Sequence, residues 1–326
     1  MSEIIPSTKL KVVTVHKIWD TVCMRKYFWN RVMNLEPRRI NMDFWYGGVL
    51  GAGWEAFMLG KKLPQVCKVM LAESRRRTRR HQLDAEETAE IEFQMKLITL
   101  FISGAMRQRR KDFDASKLKM NEPQQVVRYQ LTYSDVTYCG TADGIGSYKN
   151  RPCMFEFKTA KYINSDYLNK IAFDMQIHSY ANGLAKQGIL TPKLCYYLIF
   201  GKTSKIVKRR RGQTSDGFLR EIANDIVTDP KKFFVLHEHR FSPSMLNQVA
   251  GDVEAAAWRL SMMYDNMTEA QLLDPTNWDR QSQQCLHFGA CPYLMLCSNL
   301  QSWKVCERLY QQRELMYEEE QDELQT

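Results

Sequence analysis

The sequence predicts an α/β protein of the α+β kind. It has a helical N-terminal region, a strand-rich centre, and C-terminal helices that end in a cysteine-rich loop. Three observations predict it. Apolar residues recur at helical spacing from residue 12 to residue 111. At about Gln124 the period changes to runs rich in β-branched and aromatic residues. After Phe241 the helical period returns, and then gives way over 272–300 to a loop with three cysteines. The boundaries that follow are 1–123, 124–241 and 242–326, three parts of one composite domain.

The elements follow in order. Residues 12–35 read as a helix with Trp19, Val22, Tyr27 and Val32 among its apolar positions and Cys23 inside it. A second helix, Met42–Gly60, carries Gly47, Gly48, Gly51 and Gly53, which admit either a close approach of DNA or tight helix packing. Residues 62–111 read as two or more charged helices, with arginine runs at Arg75–Arg80 and Arg107–Lys111 that are either solvated faces or phosphate contacts. VVRYQLTY, TYCGTADGIGSY and CMFEFKTA then form a three-stranded meander, turned by SD and KNRP. A helix over 165–186, a buried strand LCYYLIFGK, and a partner strand IVKRRR come next. Residues 214–230 are helical, FFVLHEHRF is a strand or extended lead-in, and Pro243 opens a long helix to about Met267. The last stretch, from Trp303 to Gln321, reads as a helix with an acidic end: a solvated terminus, or a mimic of DNA.

Hydrophobic content of 44% and charged content of 25% suit a packed globular chain of 326 residues. The net charge of +9 favours an anionic partner such as nucleic acid. No apolar run is long enough for a membrane span and no cleavable leader is evident, so the expected compartment is the cytoplasm. Nine cysteines in such a compartment point to metal ligands or buried thiols rather than disulfides. There is no G-x-S-x-G nucleophile elbow, no dinucleotide fingerprint and no complete phosphate loop.

Chemistry concentrates in Gly140–Tyr180. Asp143 follows a strand-like run, and Glu156 and Lys158 lie on one face of the next strand because side chains alternate. Gln176 and Tyr180 share a helix face at i and i+4, while His178 between them points elsewhere. Two carboxylates suit a hard ion such as Mg2+ or Mn2+, which lowers the pKa of bound water and neutralises phosphate charge. Lys158 would steer that water or stabilise developing charge, with Gln176 holding water or a carboxylate. The cysteines Cys285, Cys291 and Cys297 have C-x5-C-x5-C spacing, unlike the paired spacing of zinc ribbons. The candidate for a fourth ligand is Cys23, distant in sequence, with Cys306 and His287 as local competitors. Four thiolates would suit an iron–sulfur cluster and a site with His287 would suit Zn2+; buried thiols are the third reading. His16, His81, His237 and His239 are scattered, and none is assigned a metal.

The order Cys23, G-T-A-D (Gly140–Asp143), E-F-K (Glu156–Lys158), Q-I-H-S-Y (Gln176–Tyr180) and three late cysteines resembles the RecB-like branch of the PD-(D/E)XK nuclease superfamily. Within it the chain is similar to the iron–sulfur members, such as the AddB nuclease domain, CRISPR-associated exonucleases and stand-alone phage or prophage nucleases. The resemblance implies a restriction-endonuclease-like mixed central sheet flanked by helices. It implies a divalent metal on Asp143, Glu156 and the Phe157 carbonyl, Lys158 as catalytic lysine, and Gln176 and Tyr180 as the helix motif. It further implies a 4Fe–4S cluster on Cys23, Cys285, Cys291 and Cys297. One departure stands out: relatives carry a metal-binding histidine in an early G-x-x-x-H segment, where this chain has Trp54 followed by Glu55.

The expectation is a metal-dependent DNA nuclease, an exonuclease on ends or single strands, in a bacterial or phage-infected cell. Arg75–Arg80, Arg107–Lys111 and Lys208–Arg211 would track phosphates, and an oligomer or a recombination protein is an expected partner. The alternatives are a RecB-like module that binds DNA without cutting, for which Trp54 argues, and a structural zinc protein of replication or packaging machinery.

Overall fold

The computed structural model describes residues 9–81, 83–160, 163–201, 212–285, 290–298 and 309–313. The strands are β1 (Val12–Val13), β2 (Leu35–Pro37), β3 (Leu118–Gln130), β4 (Thr137–Tyr148), β5 (Arg151–Ala160), β6 (Leu194–Gly201), β7 (Phe234–Arg240) and β8 (Tyr310–Gln312). The helices are α1 (Val15–Asp20), α2 (Met24–Tyr27), α3 (Met42–Met58), α4 (Leu63–Thr78), α5 (Ala85–Met106), α6 (Ser165–Ile171), α7 (Met175–Lys186), α8 (Ser215–Thr228), α9 (Pro243–Asn266), α10 (Glu269–Leu272) and α11 (Leu294–Ser298).

Six strands form a mixed sheet in the order β1-β4-β5-β6-β7, with β3 on the other edge of β4. The meander β3–β4–β5 is antiparallel, β5 runs parallel to β6, and β7 returns antiparallel to β6. The parallel step from β5 to β6 needs a crossover, and α6 and α7 supply it. β3 covers β4 from Tyr148 to Thr137 on one edge. The other edge is shared: β5 pairs with Gly144–Tyr148 and β1 with Thr137 and Tyr138. Between them Cys139–Asp143 has no strand beside it on that edge among the described residues, and β4 and β5 part at Asp143.

Every residue of β6 is buried, as expected of a strand covered on both faces. Cys195, Tyr197 and Ile199 enter a core shared with α7 and α9, and Leu194, Tyr196, Leu198 and Phe200 enter one shared with α3, α5 and α8. The molecule is thus a mixed central sheet between two helical layers. Trp54 lies wholly buried in the second layer against Phe57, Phe113 and Phe200.

Several elements differ from the sequence reading. Residues 12–35 break into β1, α1, α2, a π-helical turn at Phe28–Val32, and β2. The β-branched pair Val12–Val13 joins the sheet, and Cys23 interrupts the helix in extended conformation (φ −132°, ψ 102°). β3 begins six residues before Gln124, at Leu118, with a register shift between Met120 and Glu122. The expected 165–186 helix is two, because Asp174 leaves helical geometry and accepts the Gln176 N–H as the N-cap of α7. Tyr310–Gln312, expected as helix, is instead a strand paired with β2. The expected IVKRRR strand, Lys208–Arg211, His287, Cys306 and the acidic end lie outside the described residues. Among the described residues no helix is long and apolar enough to cross a membrane.

Candidate active site

The site lies where β4 and β5 part. Pairing of the two strands stops at Gly144 and Phe155, so the next residues of β5 turn their free edge toward Asp143. The Phe157 N–H donates to Asp143 Oδ2 at 2.7 Å. In an extended strand the N–H and C=O of one residue lie on the same edge, so the Phe157 carbonyl is aimed toward the same gap.

Glu156 and Lys158 are on the α7 face of β5, as alternation requires. Lys158 Nζ lies 2.7 Å from Glu156 Oε1 and 3.8 Å from Asp174 Oδ2. It donates to Gln176 Oε1 at 2.8 Å, and Gln176 Nε2 donates to the Tyr180 hydroxyl at 2.9 Å. Four of the five predicted residues therefore form one chain of contacts, Glu156, Lys158, Gln176 and Tyr180, and Asp143 joins them through the N–H of Phe157 between Glu156 and Lys158. Gly140 makes room for the last of them, since a Cβ there would stand 2.4 Å from Tyr180 Cε1.

The two acids are close enough to act on each other, and burial acts on both. Glu156 is 2% exposed, and its Oε2 has no hydrogen-bond partner among the described residues. Burial, and then the neighbouring Asp143, push the Glu156 carboxyl up to about 8. Burial raises Asp143 to about 6 against the lowering effects of the Phe157 N–H and Lys158. Burial alone would lower Lys158, but Glu156 and Asp174 outweigh it and hold the ammonium above the usual lysine range. Two acids raised together and an unpartnered carboxylate oxygen fit a divalent ion held by Asp143, Glu156 and the Phe157 carbonyl.

Two residues join the site that the five-residue set omitted. Asp174 ties the start of α7 to the site: it caps the helix, accepts from the Tyr197 hydroxyl at 3.3 Å, and flanks Lys158. The signal for it was an Asp immediately before the apolar-periodic run that opens with Met175, which is an N-cap pattern. Glu55, weighed only as a substitute for histidine, sits on α3 close enough to raise Asp143 electrostatically, and it accepts from Gln124 Nε2 at 2.9 Å. Trp54 points the other way, into the core.

The thiols are a second grouping. Cys23 accepts the Gln281 N–H at 3.5 Å, and the Cys291 N–H donates to the Cys285 carbonyl at 2.8 Å. Burial raises Cys291, and Cys285 and Cys23 raise it further; burial raises Cys297, with Cys291 and Cys23 adding to it. All four are free thiols. Free thiols within electrostatic reach of one another fit a group that thiolates ligate. Among the described residues, no three or more His, Cys, Asp or Glu side chains stand close enough together to enclose an ion.

Many predicted phosphate contacts are engaged within the chain. Arg76 and Arg77 pair with Glu73, Arg80 donates to the Gln312 carbonyl, and Arg110 to the Phe234 carbonyl. A scan against models of known protein families matches none of them, and no curated protein matches the chain.

Proposed function

We propose that the chain is a Mg2+- or Mn2+-dependent DNA nuclease of the RecB-like, restriction-endonuclease-like type, acting as an exonuclease. The observation that carries this reading is the pair of acids, Asp143 and Glu156, both raised by burial, with Lys158 Nζ 2.7 Å from Glu156, at the point where β4 and β5 part. Lys158 answers only one oxygen of Glu156: Oε2 is unbonded among the described residues and hidden from solvent. A purely structural sheet would place an apolar side chain there.

In this reading Asp143, Glu156 and the Phe157 carbonyl hold the ion, with Glu55 as the nearby acid that answers for the missing histidine. The ion, when bound, supplies charge for the phosphate and an acidified water. Lys158, kept protonated by Glu156 and Asp174, orients that water and stabilises charge on the phosphoryl oxygens; it is not the base that takes its proton. Gln176 fixes Lys158 through its carbonyl and Tyr180 through its amide, so one side chain sets both. Cys23, Cys285, Cys291 and Cys297 would hold a 4Fe–4S cluster, or Zn2+ in its place, joining the start of the chain to its end.

The test is cleavage of end-labelled linear, circular and single-stranded DNA in Mg2+ or Mn2+. Linear strands shorten from their ends and circles survive. Tight DNA binding with no cleavage in any divalent metal would establish the rival, a RecB-like module that binds without cutting.

A further inference from the structure

We propose that His178 and His239 form a second metal site, between α7 and β7, for a borderline transition-metal dication of the Zn2+ kind. This inference does not rest on the nuclease reading.

His178 is completely buried on α7. Its Nδ1 lies 2.7 Å from the Asp174 carbonyl oxygen. A carbonyl only accepts, so Nδ1 carries the proton and Nε2 is left with its lone pair free. That Nε2 is hidden from solvent, with no hydrogen-bond partner among the described residues. The same holds for His239 Nε2, on the face of β7 turned to α7. Two neighbouring imidazoles thus each bury an unsatisfied nitrogen. Metal-ligating histidines donate the other ring N–H to a backbone carbonyl or carboxylate in just this way, which fixes the tautomer.

The spacing agrees. The two rings have centroids 5.1 Å apart and planes inclined at 74°. A tetrahedral ion bound to one nitrogen of each ring at the usual zinc distance sets the centroids about 5 Å apart. Phe241 stands edge-on to both rings, at 5.4 and 5.2 Å, and closes one side. The electrostatics favour a cation: the carboxylate of Asp174 acts on both imidazoles. Burial lowers both, and His239 to about 4, so each is neutral and able to ligate at neutral pH. Imidazole nitrogen selects Zn2+ and its neighbours over Mg2+, which separates this site from the carboxylate pair. His237 shares the strand face of His239 and acts on it electrostatically, and water fills the remaining positions. An ion here ties α7, which carries Gln176 and Tyr180, to the sheet.

The experiment uses the full chain labelled with 15N-histidine, its thiol site filled first, in excess MgCl2. ZnCl2 is titrated while the ring nitrogens are followed by NMR. The Nε2 signals of His178 and His239, assigned with His178→Gln and His239→Gln, are expected to move together and saturate with one further equivalent. Those of His16 and His81 stay still. His239→Phe, with its near-ultraviolet circular dichroism unchanged, is expected to bind that equivalent at least tenfold more weakly. Ring signals of His178 and His239 that ignore Zn2+ would overturn the site, whether or not the variants fold. So would equal Zn2+ affinity in wild type and a folded His239→Phe.

Discussion

Glu156 spends one oxygen on Lys158 and keeps the other unbonded in a dry place. Such an atom costs stability unless a cation answers it. The cost has a direction in pH. Unfolded carboxyls release their protons near pH 4, whereas the folded, metal-free Asp143 and Glu156 hold theirs to about 6 and about 8. The folded state thus binds more protons than the unfolded state between those values, and stability falls as pH rises through them. Below about pH 4 neither group contributes a difference. Urea midpoints measured in chelator at pH 5 and pH 8.5 should therefore decline for wild type relative to Glu156→Gln. Added Mg2+ should reverse the loss in wild type alone. An equal pH dependence in the two proteins would remove the buried-acid account. For cleavage, Glu156→Gln and Lys158→Ala should each lower kcat by at least about a thousandfold, in line with loss of transition-state charge stabilisation. Full activity in either purified, folded variant would end the nuclease assignment.

At the scale of the element, β4 and α7 place the site by close approach. The Tyr180 ring lies where a Cβ of Gly140 would stand, and Gly183 brings α7 still closer against Val127. Gly140→Val should push Tyr180 aside and break the Gln176 relay, lowering activity more than melting temperature. Asp174→Asn separates two roles. The amide can still cap α7, so the loss of helix stability should stay within about 1 kcal/mol. It cannot supply the negative charge beside Lys158, so cleavage should fall about tenfold or more. A melting temperature that drops as far as the activity would make Asp174 a cap alone. These elements also mark what the sequence makes legible. Alternation placed Glu156 with Lys158, and helical spacing placed Gln176 with Tyr180, because both rules act within one element. Asp174 was read as helix interior, because helical spacing on both sides hides the three-residue break at Ala172–Asp174. Val12–Val13 was read as helix because its strand partner, at Thr137 and Tyr138, is remote in sequence. Trp54 looked like a vacancy in the metal site. Its ring belongs to an aromatic core with Phe113 and Phe200, and only the fold reveals that.

Across the whole molecule, the two ends of the described chain are drawn together beside the sheet. Arg25 donates from its backbone to the Asp279 carbonyl and from its side chain to the Trp278 carbonyl. The Tyr293 hydroxyl donates to the Leu35 carbonyl, and β8 pairs with β2. The four proposed cluster cysteines lie in the same region, where Cys23 meets the loop of Gln281. Hydrogen bonds to short segments such as β2 and β8 add little by themselves, because each segment must also be ordered. A cluster joining Cys23 to Cys285, Cys291 and Cys297 would hold a very long loop closed, and closure of long loops restricts the unfolded chain most. Anaerobically purified protein should therefore be brown and contain iron. Cys23→Ser should lose the colour and lower the melting temperature by roughly 4–10 °C. Amide exchange should then quicken first at β2 and β8, the short strands that pair the two ends, while the fully buried β6 stays protected. A colourless protein whose bound zinc is lost in Cys23→Ser would replace the cluster with Zn2+ and leave the tie in place. Unchanged melting and exchange in Cys23→Ser would show that the hydrogen bonds of Arg25, Tyr293 and β8 hold the two ends together without it.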